Sequence, residues 1–323
     1  MRTWHVFGAL AGAMLLASSP VSAQSNWPER PVNLVVGFGA GGGTDIIARV
    51  IAAPLAEELG QPVVIVNRPG AGGTVGAESV ARAAPDGYTM FMANNGHAIS
   101  AVTYKSLKFD AVKDFQPVSL VATLPLIIVS RPDFPPKDAG ELIKNAKANP
   151  GKLNFASVSV GSTQYFAGTL LSQLAGIKVT HVPYQKTPEA VAATRSGEAD
   201  YLVEVLSTVL GQVKSGDLKA IAITSAKRYP GLPDVPTVAD GGLKDYDVTT
   251  WYGLNFPAGT PKPIVDKMNA AIQKVLARKD VQEQAMKAAF VLQGSTPDAF
   301  GKHVTSEVAR WGSVMKEAGI PQR

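Results

Sequence analysis

Cysteine is absent from the 323 residues of this sequence. That absence excludes disulfide bonds, thiolate catalysis, cysteine-ligated zinc and iron–sulfur clusters. It also excludes a lipoprotein anchor, because the acylated residue of such an anchor is a cysteine.

Charge is sparse and evenly spread. Charged residues make up 18% of the chain, and 31 basic against 26 acidic side chains leave a formal net charge of +5. No basic run forms a stripe for nucleic acid, and the mild positive bias suits a small anionic ligand better than a polyanion. His97, His181 and His303 are isolated and lack metal-ligand spacing, so we expect no metal site and no cofactor.

The first 23 residues predict a secretory signal peptide. Arg2 precedes a short apolar run over residues 6–17, and Val21-Ser22-Ala23 fits the small-x-small cleavage rule. This run is too short to cross a bilayer core of about 30 Å, so we expect cleavage after Ala23 rather than an anchor. An exported chain without cysteine fits a bacterial periplasm.

Strands alternate with helices along a chain long enough for two domains. Ile47, Ile51, Leu55 and Leu59 recur every fourth residue, as on one face of a helix. This order predicts an α/β fold with a mostly parallel sheet flanked by helices. The predicted strands are residues 32–36, 63–66, 88–93, 117–129, 153–156, 179–182, 200–203 and 220–224. The predicted helices are residues 45–59, 76–83, 139–148, 163–174, 188–196, 208–214, 263–276 and 297–315.

A glycine-rich loop over residues 37–45 follows the first strand and opens a helix. Helix N-termini carry unpaired N–H groups and partial positive charge, so this loop is a candidate cradle for a carboxylate or phosphate. Gly37-x-Gly39-x-x-Gly42 also matches the dinucleotide fingerprint, although the second strand ends at Asn67-Arg68 rather than in an acid. An NADP-dependent oxidoreductase that uses this loop therefore stays an alternative.

Two further loops carry glycine or hydroxyl groups between a strand and a helix, at residues 69–73 and 157–163. Ser157 stands where the hydrolase motif G-x-S-x-G needs its first glycine, which disfavours a hydrolase. Asn94 and His97 follow another predicted strand end. Because the loops at 37–45 and 157–163 fall in different predicted domains, we expect them to face each other across a cleft and hold the two ends of a small anion.

Eight short motifs, taken together and in order, are similar to those of one family. They are Trp27-Pro28-x-Arg30-Pro31, Phe38-x-x-Gly41-Gly42-x-x-Asp45, Asn67-Arg68-Pro69-Gly70-Ala71-Gly72-Gly73, Asp86-Gly87-Tyr88-Thr89, Asp114-Phe115-x-Pro117-Val118, Gly161-Ser162, Val182-Pro183-Tyr184 and Pro257-Ala258-Gly259-Thr260-Pro261. On these motifs the chain resembles the Bug (TctC-type) periplasmic solute-binding proteins of tripartite tricarboxylate transporters. The resemblance covers essentially all of the chain beyond the predicted signal peptide.

The resemblance implies a two-lobed periplasmic-binding-protein fold of type II-like architecture, with the ligand in the cleft between the lobes. Lobe 1 is expected to comprise residues 24–123 and 226–323, and lobe 2 residues 124–225. Family members bind carboxylates, among them citrate, acidic amino acids, nicotinate and aromatic dicarboxylates. The candidate ligand-binding residues are Phe38, Gly39, Ala40, Gly41, Gly42, Gly43, Thr44, Asp45, Asn94, His97, Ser157, Val160, Gly161, Ser162, Thr163, Tyr184, Lys186 and Glu204.

Three positions depart from the family pattern. Tyr165 stands where a histidine is common, Lys186 replaces a glycine, and Glu204-Val205 replaces Asp-Asn. Lys186 either pairs with a ligand carboxylate or is solvated. Glu204 repels a second ligand carboxylate unless it is protonated or bonded to a ligand amine or hydroxyl.

The sequence therefore predicts a monomeric, non-enzymatic periplasmic receptor for a small organic carboxylate. It is expected to deliver that ligand to a membrane permease with TctA/TctB-like subunits. A carboxylate sensor for a signalling partner is a further alternative. Aliphatic dicarboxylates, acidic amino acids and aromatic carboxylates such as terephthalate all stay open as ligands.

Overall fold

The computed structural model of the chain describes residues 26–158, 162–184, 186–317, 319, 320 and 322. The predicted signal peptide and the candidate site residues Val160 and Gly161 lie outside the described residues. Within the part that is described, no helix is long and apolar enough to cross a membrane.

Ten strands and ten α-helices form the described part of the chain. The strands are β1 (Val32–Val36), β2 (Val63–Asn67), β3 (Thr89–Asn94), β4 (Phe115–Ser130), β5 (Asn154–Val158), β6 (Thr180–Tyr184), β7 (Tyr201–Val205), β8 (Lys219–Ile223), β9 (Thr249–Pro257) and β10 (Val291–Leu292). The helices are α1 (Gly43–Leu59), α2 (Thr74–Ala81), α3 (Asn95–Thr103), α4 (Ala139–Ala148), α5 (Thr163–Ala175), α6 (Thr187–Ser196), α7 (Leu206–Ser215), α8 (Lys262–Ala277), α9 (Lys279–Lys287) and α10 (Pro297–Glu317). One turn of 3-10 helix, Ala71–Gly73, precedes α2.

The strands follow the order β2-β1-β3-β9-β4-β7-β5-β6, with β8 and β10 also paired to β4. Pairing is parallel among β1, β2 and β3 and among β5, β6 and β7. Pairing is antiparallel wherever β4 or β9 takes part. The predicted α/β architecture is confirmed, with a mixed sheet in which two parallel halves are joined through antiparallel strands.

Strand β4 runs through both halves of the sheet. It pairs with β9 as far as Pro125 opposite Thr249, and with β7 from Leu126 opposite Val205 onwards. The apolar run over residues 117–129 therefore forms one continuous strand, as predicted. Pro125 lies inside this strand, at the point where the partner of β4 changes from β9 to β7. We call the part built on β1, β2, β3 and β9 the first half and the part built on β5, β6 and β7 the second half.

Apolar side chains pack on both faces of the sheet. In β1, Leu34 and Val36 belong to one buried cluster and Val35 belongs to another. Successive residues of a strand point to opposite faces, so the continuous apolar run Val32–Val36 is what a strand covered on both sides requires. Helices on each face supply the cover.

Four elements of the structure are not predicted by sequence periodicity, namely α3, β9, α9 and β10. Helix α3 begins directly at the end of β3, where the Asn94 side chain accepts a hydrogen bond from the Gly96 N–H at 2.9 Å. Pro54 lies inside α1 without ending it.

The segment that leads into β9 contacts the second half of the sheet. Tyr246 donates its hydroxyl hydrogen to the Ala167 carbonyl at 3.0 Å. Val248 N donates to the Thr224 carbonyl at 2.8 Å, and the Thr224 hydroxyl donates to the Val248 carbonyl at 2.7 Å. The chain therefore stays bonded to the second half until β9 begins.

Candidate functional site

A cavity of ≈ 570 Å³ opens between the two halves of the sheet. Nine of the predicted site residues line it: Phe38, Gly42, Gly43, Thr44, Asn94, Ser162, Thr163, Lys186 and Glu204. The first five lie in the first half and the last four in the second. A second cavity of ≈ 560 Å³, between residues 229–231 and the α8–α9 region, contains none of the predicted site residues.

The N-terminus of α1 faces this cavity without a side-chain cap. The N-cap residue Gly42 is extended, and its carbonyl accepts the first helical bond, from Ile46 N, at 2.9 Å. Within the described residues no group accepts from the N–H of Gly43 or Thr44. Unpaired N–H groups at a helix N-terminus favour an anion, by about 0.3–1 kcal/mol when exposed and about 2 kcal/mol when partly buried.

The Thr44 hydroxyl adds a donor beside these N–H groups. Asn94 Nδ2 donates to Thr44 Oγ1 at 2.9 Å, so the Thr44 oxygen accepts and its own hydrogen is directed elsewhere. Thr44 is buried and lines the cavity. The first wall of the cavity therefore presents neutral donors, with Asn94 as the residue that orients one of them.

Asp45 does not line the cavity but shapes the loop in front of α1. Its carboxylate accepts from Arg49 Nε at 2.8 Å, Gly41 N at 2.9 Å and Asn67 Nδ2 at 3.0 Å. Asn67 Nδ2 also donates to the Phe38 carbonyl at 3.0 Å. Burial raises the pKa of Asp45, and the hydrogen bonds from Arg49, Gly41 and Asn67 outweigh it, so the pKa lies below the ordinary 3.8.

Replacing Asp45 with asparagine is expected to lower the free energy of unfolding by about 1–3 kcal/mol, because charge-assisted hydrogen bonds are lost at a buried position. The folded-state pKa is depressed, so this stabilisation is complete above the ordinary value of 3.8 and is lost as pH falls through the lower folded-state pKa. Urea unfolding should show a constant difference in the free energy of unfolding between the two proteins from about pH 7 to pH 5. This difference should decrease only in stronger acid. A difference that disappears above pH 5 contradicts this role of Asp45.

The opposite wall is built from the starts of three helices. The N-cap side chain of α5, Ser162 Oγ, accepts from Tyr165 N at 3.1 Å, and Thr163 is buried behind it. Lys186 is the N-cap residue of α6 and is exposed, and α7 begins directly after β7. These helix N-termini face the cavity from the second half, as α1 does from the first.

Glu204, the penultimate residue of β7, is fully buried in this wall. Its Oε1 accepts from Gln164 Nε2 at 2.7 Å and from Val205 N at 2.7 Å. Its Oε2 accepts from the Thr187 hydroxyl at 2.9 Å. Burial raises the pKa of Glu204, and the three hydrogen bonds oppose that rise without cancelling it. The carboxyl thus joins the first turns of α5 and α6.

The structure does not bring His97 to the cavity. Its ring lies against Phe115 at 4.6 Å, Phe91 at 5.6 Å and Phe109 at 5.9 Å between ring centroids. Its Nε2 lies 2.7 Å from the Ala111 carbonyl. Burial lowers the pKa of His97 to about 4, so the imidazole is neutral at neutral pH. His97 packs on the face of α3 that points away from the cavity.

Five more predicted residues lie outside the lining: Gly39, Ala40, Gly41, Ser157 and Tyr184. Ser157 is fully buried, and its hydroxyl lies 2.7 Å from His181 Nε2. Tyr184 donates to the exposed Glu198 at 3.0 Å. In both cases the side chain has a partner away from the cavity. Gly39, Ala40 and Gly41 precede Gly42 and Gly43, the residues at the start of α1 that line the cavity.

Several lining residues were not predicted. Ser100, Thr103 and Tyr104 come from α3 and its end, Thr250 and Tyr252 come from β9, and Gln164 and Thr187 come from the starts of α5 and α6. Tyr252 is buried, and its hydroxyl oxygen lies 2.7 Å from the point where a Gly43 Cβ would stand. The sequence signal for Tyr252 was the segment Thr249–Pro257, which is rich in the threonine and aromatic residues that favour strands.

A cavity between two α/β halves joined by crossing strands, walled by helix N-termini of which that of α1 has no side-chain cap, defines a two-lobed ligand-binding protein. Residues 47–320 match the family model described as tripartite tricarboxylate transporter family receptor. The chain belongs to this family, whose members are periplasmic solute-binding proteins rather than enzymes. The resemblance predicted from the motifs is confirmed.

Three solved structures show the same fold over nearly their whole length. The periplasmic binding protein BugD is 36% identical, with a TM-score of 0.82 over 92% of this chain and 100% of BugD. R. palustris Rpa4515 with adipate is 32% identical, with a TM-score of 0.84 over 92% of this chain and 100% of Rpa4515. MatC from Rhodopseudomonas palustris with bound malate is 36% identical, with a TM-score of 0.79 over 89% of this chain and 99% of MatC.

Proposed function

We propose that this protein is a periplasmic receptor that captures one small organic carboxylate in the cavity between its halves and presents it to a membrane permease. The observation that carries the proposal is the uncapped N-terminus of α1, whose Gly43 and Thr44 N–H groups face the cavity beside the Thr44 hydroxyl. The adipate and malate bound to Rpa4515 and MatC support a carboxylate as the ligand.

Closure of the two lobes is the step that signals binding. A ligand that contacts both walls has more partners in the closed arrangement than in the open one, so it shifts the population toward closure by that difference in affinity. The permease, with TctA/TctB-like subunits, then recognises the closed monomer. The predicted signal peptide of residues 1–23 directs the chain to the periplasm.

We keep the two lobes of the sequence prediction, with lobe 2 beginning near residue 124, as part of this proposal. The bonds of Tyr246 to Ala167 and of Val248 to Thr224 support a return to lobe 1 near residue 249 rather than near 226. The hinge then consists of β4 and β9, which pair side by side up to Pro125 and Thr249.

A thermal-shift panel on the purified protein tests the function. The panel contains aliphatic dicarboxylates, tricarboxylates, nicotinate, terephthalate, amino acids and NADPH. A ligand at 100 times its dissociation constant adds about 2.7 kcal/mol of stability, which raises the melting temperature by a few degrees. We expect stabilisation by one class of carboxylate. Stabilisation by NADPH alone overturns the proposal in favour of an oxidoreductase, and no stabilisation by any carboxylate also overturns it.

A further inference from the structure

The two walls of the cavity differ in charge. Among the described lining residues, the charged side chains are Lys186 and Glu204, and both lie in the second half. The first wall presents neutral donors from Gly43 and Thr44. A ligand with one carboxylate at the first wall therefore enters a cavity whose two charged side chains balance each other.

The two charges are not equally exposed. Glu204 is fully buried, whereas Lys186 is exposed, and the salt bridges among the described residues do not join them. Solvent screens an exposed ammonium group far more than a buried carboxylate. The field that a ligand meets deep in the second wall is therefore dominated by Glu204.

The Glu204 carboxyl is arranged as a hydrogen-bond acceptor. Three donors point at its two oxygens: Gln164 Nε2, Val205 N and the Thr187 hydroxyl. An ionised carboxylate has about four acceptor positions, so about one is left. Two of these donors, Gln164 Nε2 and the Thr187 hydroxyl, lie at the starts of α5 and α6, and Glu204 already occupies them, so a second ligand carboxylate finds neither of them free.

We propose that Glu204 is the specificity-determining residue of this site, and that the ligand is a carboxylate whose opposite end carries a hydrogen-bond donor, an amino or hydroxyl group. The inference rests on the proposed function. An amino or hydroxyl group satisfies the remaining acceptor position of Glu204. A second carboxylate lacks a donor and meets a like charge in a buried wall.

Calorimetric titration with matched ligands tests this assignment. At each chain length from three to six carbons, the set contains the dicarboxylate, the ω-amino acid, the ω-hydroxy acid and the plain monocarboxylate, for example adipate, 6-aminohexanoate, 6-hydroxyhexanoate and hexanoate. For the unaltered protein we expect the amino or hydroxy acid to bind at least tenfold more tightly than the dicarboxylate of equal length. The comparison of the amino with the hydroxy acid identifies which donor is preferred.

The Glu204→Gln variant removes the charge and keeps the shape. We expect the preference for the donor-bearing acid to shrink to less than threefold, because the amide neither repels a carboxylate nor pairs with an ammonium group. The control is Glu198→Gln, an exposed glutamate outside the cavity that should leave the preference unchanged. If Glu204→Gln does not fold, Glu204→Asp retains the charge and should retain discrimination against dicarboxylates.

The outcomes separate this inference from the function on which it rests. Tightest binding of a dicarboxylate by the unaltered protein overturns the inference and leaves the carboxylate receptor intact. An unchanged preference in Glu204→Gln also overturns it. Absence of binding for every carboxylate overturns both.

Discussion

Replacing Glu307 with alanine is expected to lower the free energy of unfolding by about 2–6 kcal/mol. Glu307 is buried in α10, where its Oε2 accepts from Trp311 Nε1 at 3.0 Å and from Trp251 Nε1 at 3.2 Å. Its Oε1 lies 3.3 Å from Arg310 Nη1. Without the carboxylate two buried indole N–H groups lose their acceptor, and each unpaired group costs about 1–3 kcal/mol.

The position of Glu307 next to the start of β9 enlarges the expected effect. The Asn95 side chain accepts from Trp251 N at 2.8 Å and donates to the Thr249 carbonyl at 3.0 Å, which extends the β3–β9 ladder by one step. Asn95 Nδ2 also lies 3.5 Å from Glu307 Oε2. The Glu307 carboxylate therefore supports the Asn95 side chain, which in turn bonds to the start of β9, one of the two proposed hinge strands.

Urea unfolding measures this effect. Glu307→Gln retains one acceptor oxygen and should lose less stability than Glu307→Ala. Glu283→Ala, at an exposed position of α9, should change the free energy of unfolding by less than about 0.5 kcal/mol. A Glu307→Ala variant within about 1 kcal/mol of the unaltered protein is incompatible with this network.

Replacing Gly43 with alanine is expected to weaken carboxylate binding at least tenfold, which corresponds to about 1.4 kcal/mol. A Cβ at Gly43 stands 2.7 Å from the hydroxyl oxygen of the buried Tyr252, too close for an ordinary contact. Either the phenol or the first turn of α1 must shift, and both line the cavity. The N–H groups that we assign to the ligand then lose their alignment.

Gly39 provides a matched control in the same loop. A Cβ there meets no atom within 4 Å, and the residue does not line the cavity. Gly39→Ala should therefore bind with an affinity within about twofold of the unaltered protein, and both variants should keep their secondary structure by circular dichroism. Unchanged affinity in Gly43→Ala places the ligand elsewhere.

The helix that opens the site was predictable because its signal is local. Ile47, Ile51, Leu55 and Leu59 recur at helical spacing and are buried, and the glycine run marks where α1 begins. The pattern does not reveal which loop atoms face a ligand. The pairing of Asp45 with Arg49, four residues further along α1, follows from helical spacing, but the bond that Asp45 accepts from Gly41 N depends on the conformation of the glycine loop.

His97 illustrates a second limit, because it lies on a helix that the sequence pattern did not predict. In α3, Gly96, Ser100 and Thr103 lie on one face of the helix and line the cavity. His97 follows Gly96 directly, so it is rotated by about 100° around the helix axis, away from that face. The strand end at Asn94 was visible in the sequence, but the helix face was not.

Strand β9 was missed because its partners are distant in the chain. It pairs with β3, for example Leu254 with Met92, and with β4, and these contacts join residues more than a hundred positions apart. Local sequence periodicity does not indicate pairing between such distant residues. The pairing of β9 with β3 and β4 brings Tyr252 to the cavity and into contact with Gly43.

The most direct test of the account is a calorimetric titration of the purified protein and its Gly43→Ala variant with the carboxylate that gives the largest thermal shift. The account predicts one saturable site per chain, with an affinity at least tenfold lower in Gly43→Ala and unchanged in Gly39→Ala. Equal affinities for all three proteins contradict the assignment of the α1 N-terminus as the carboxylate-binding wall.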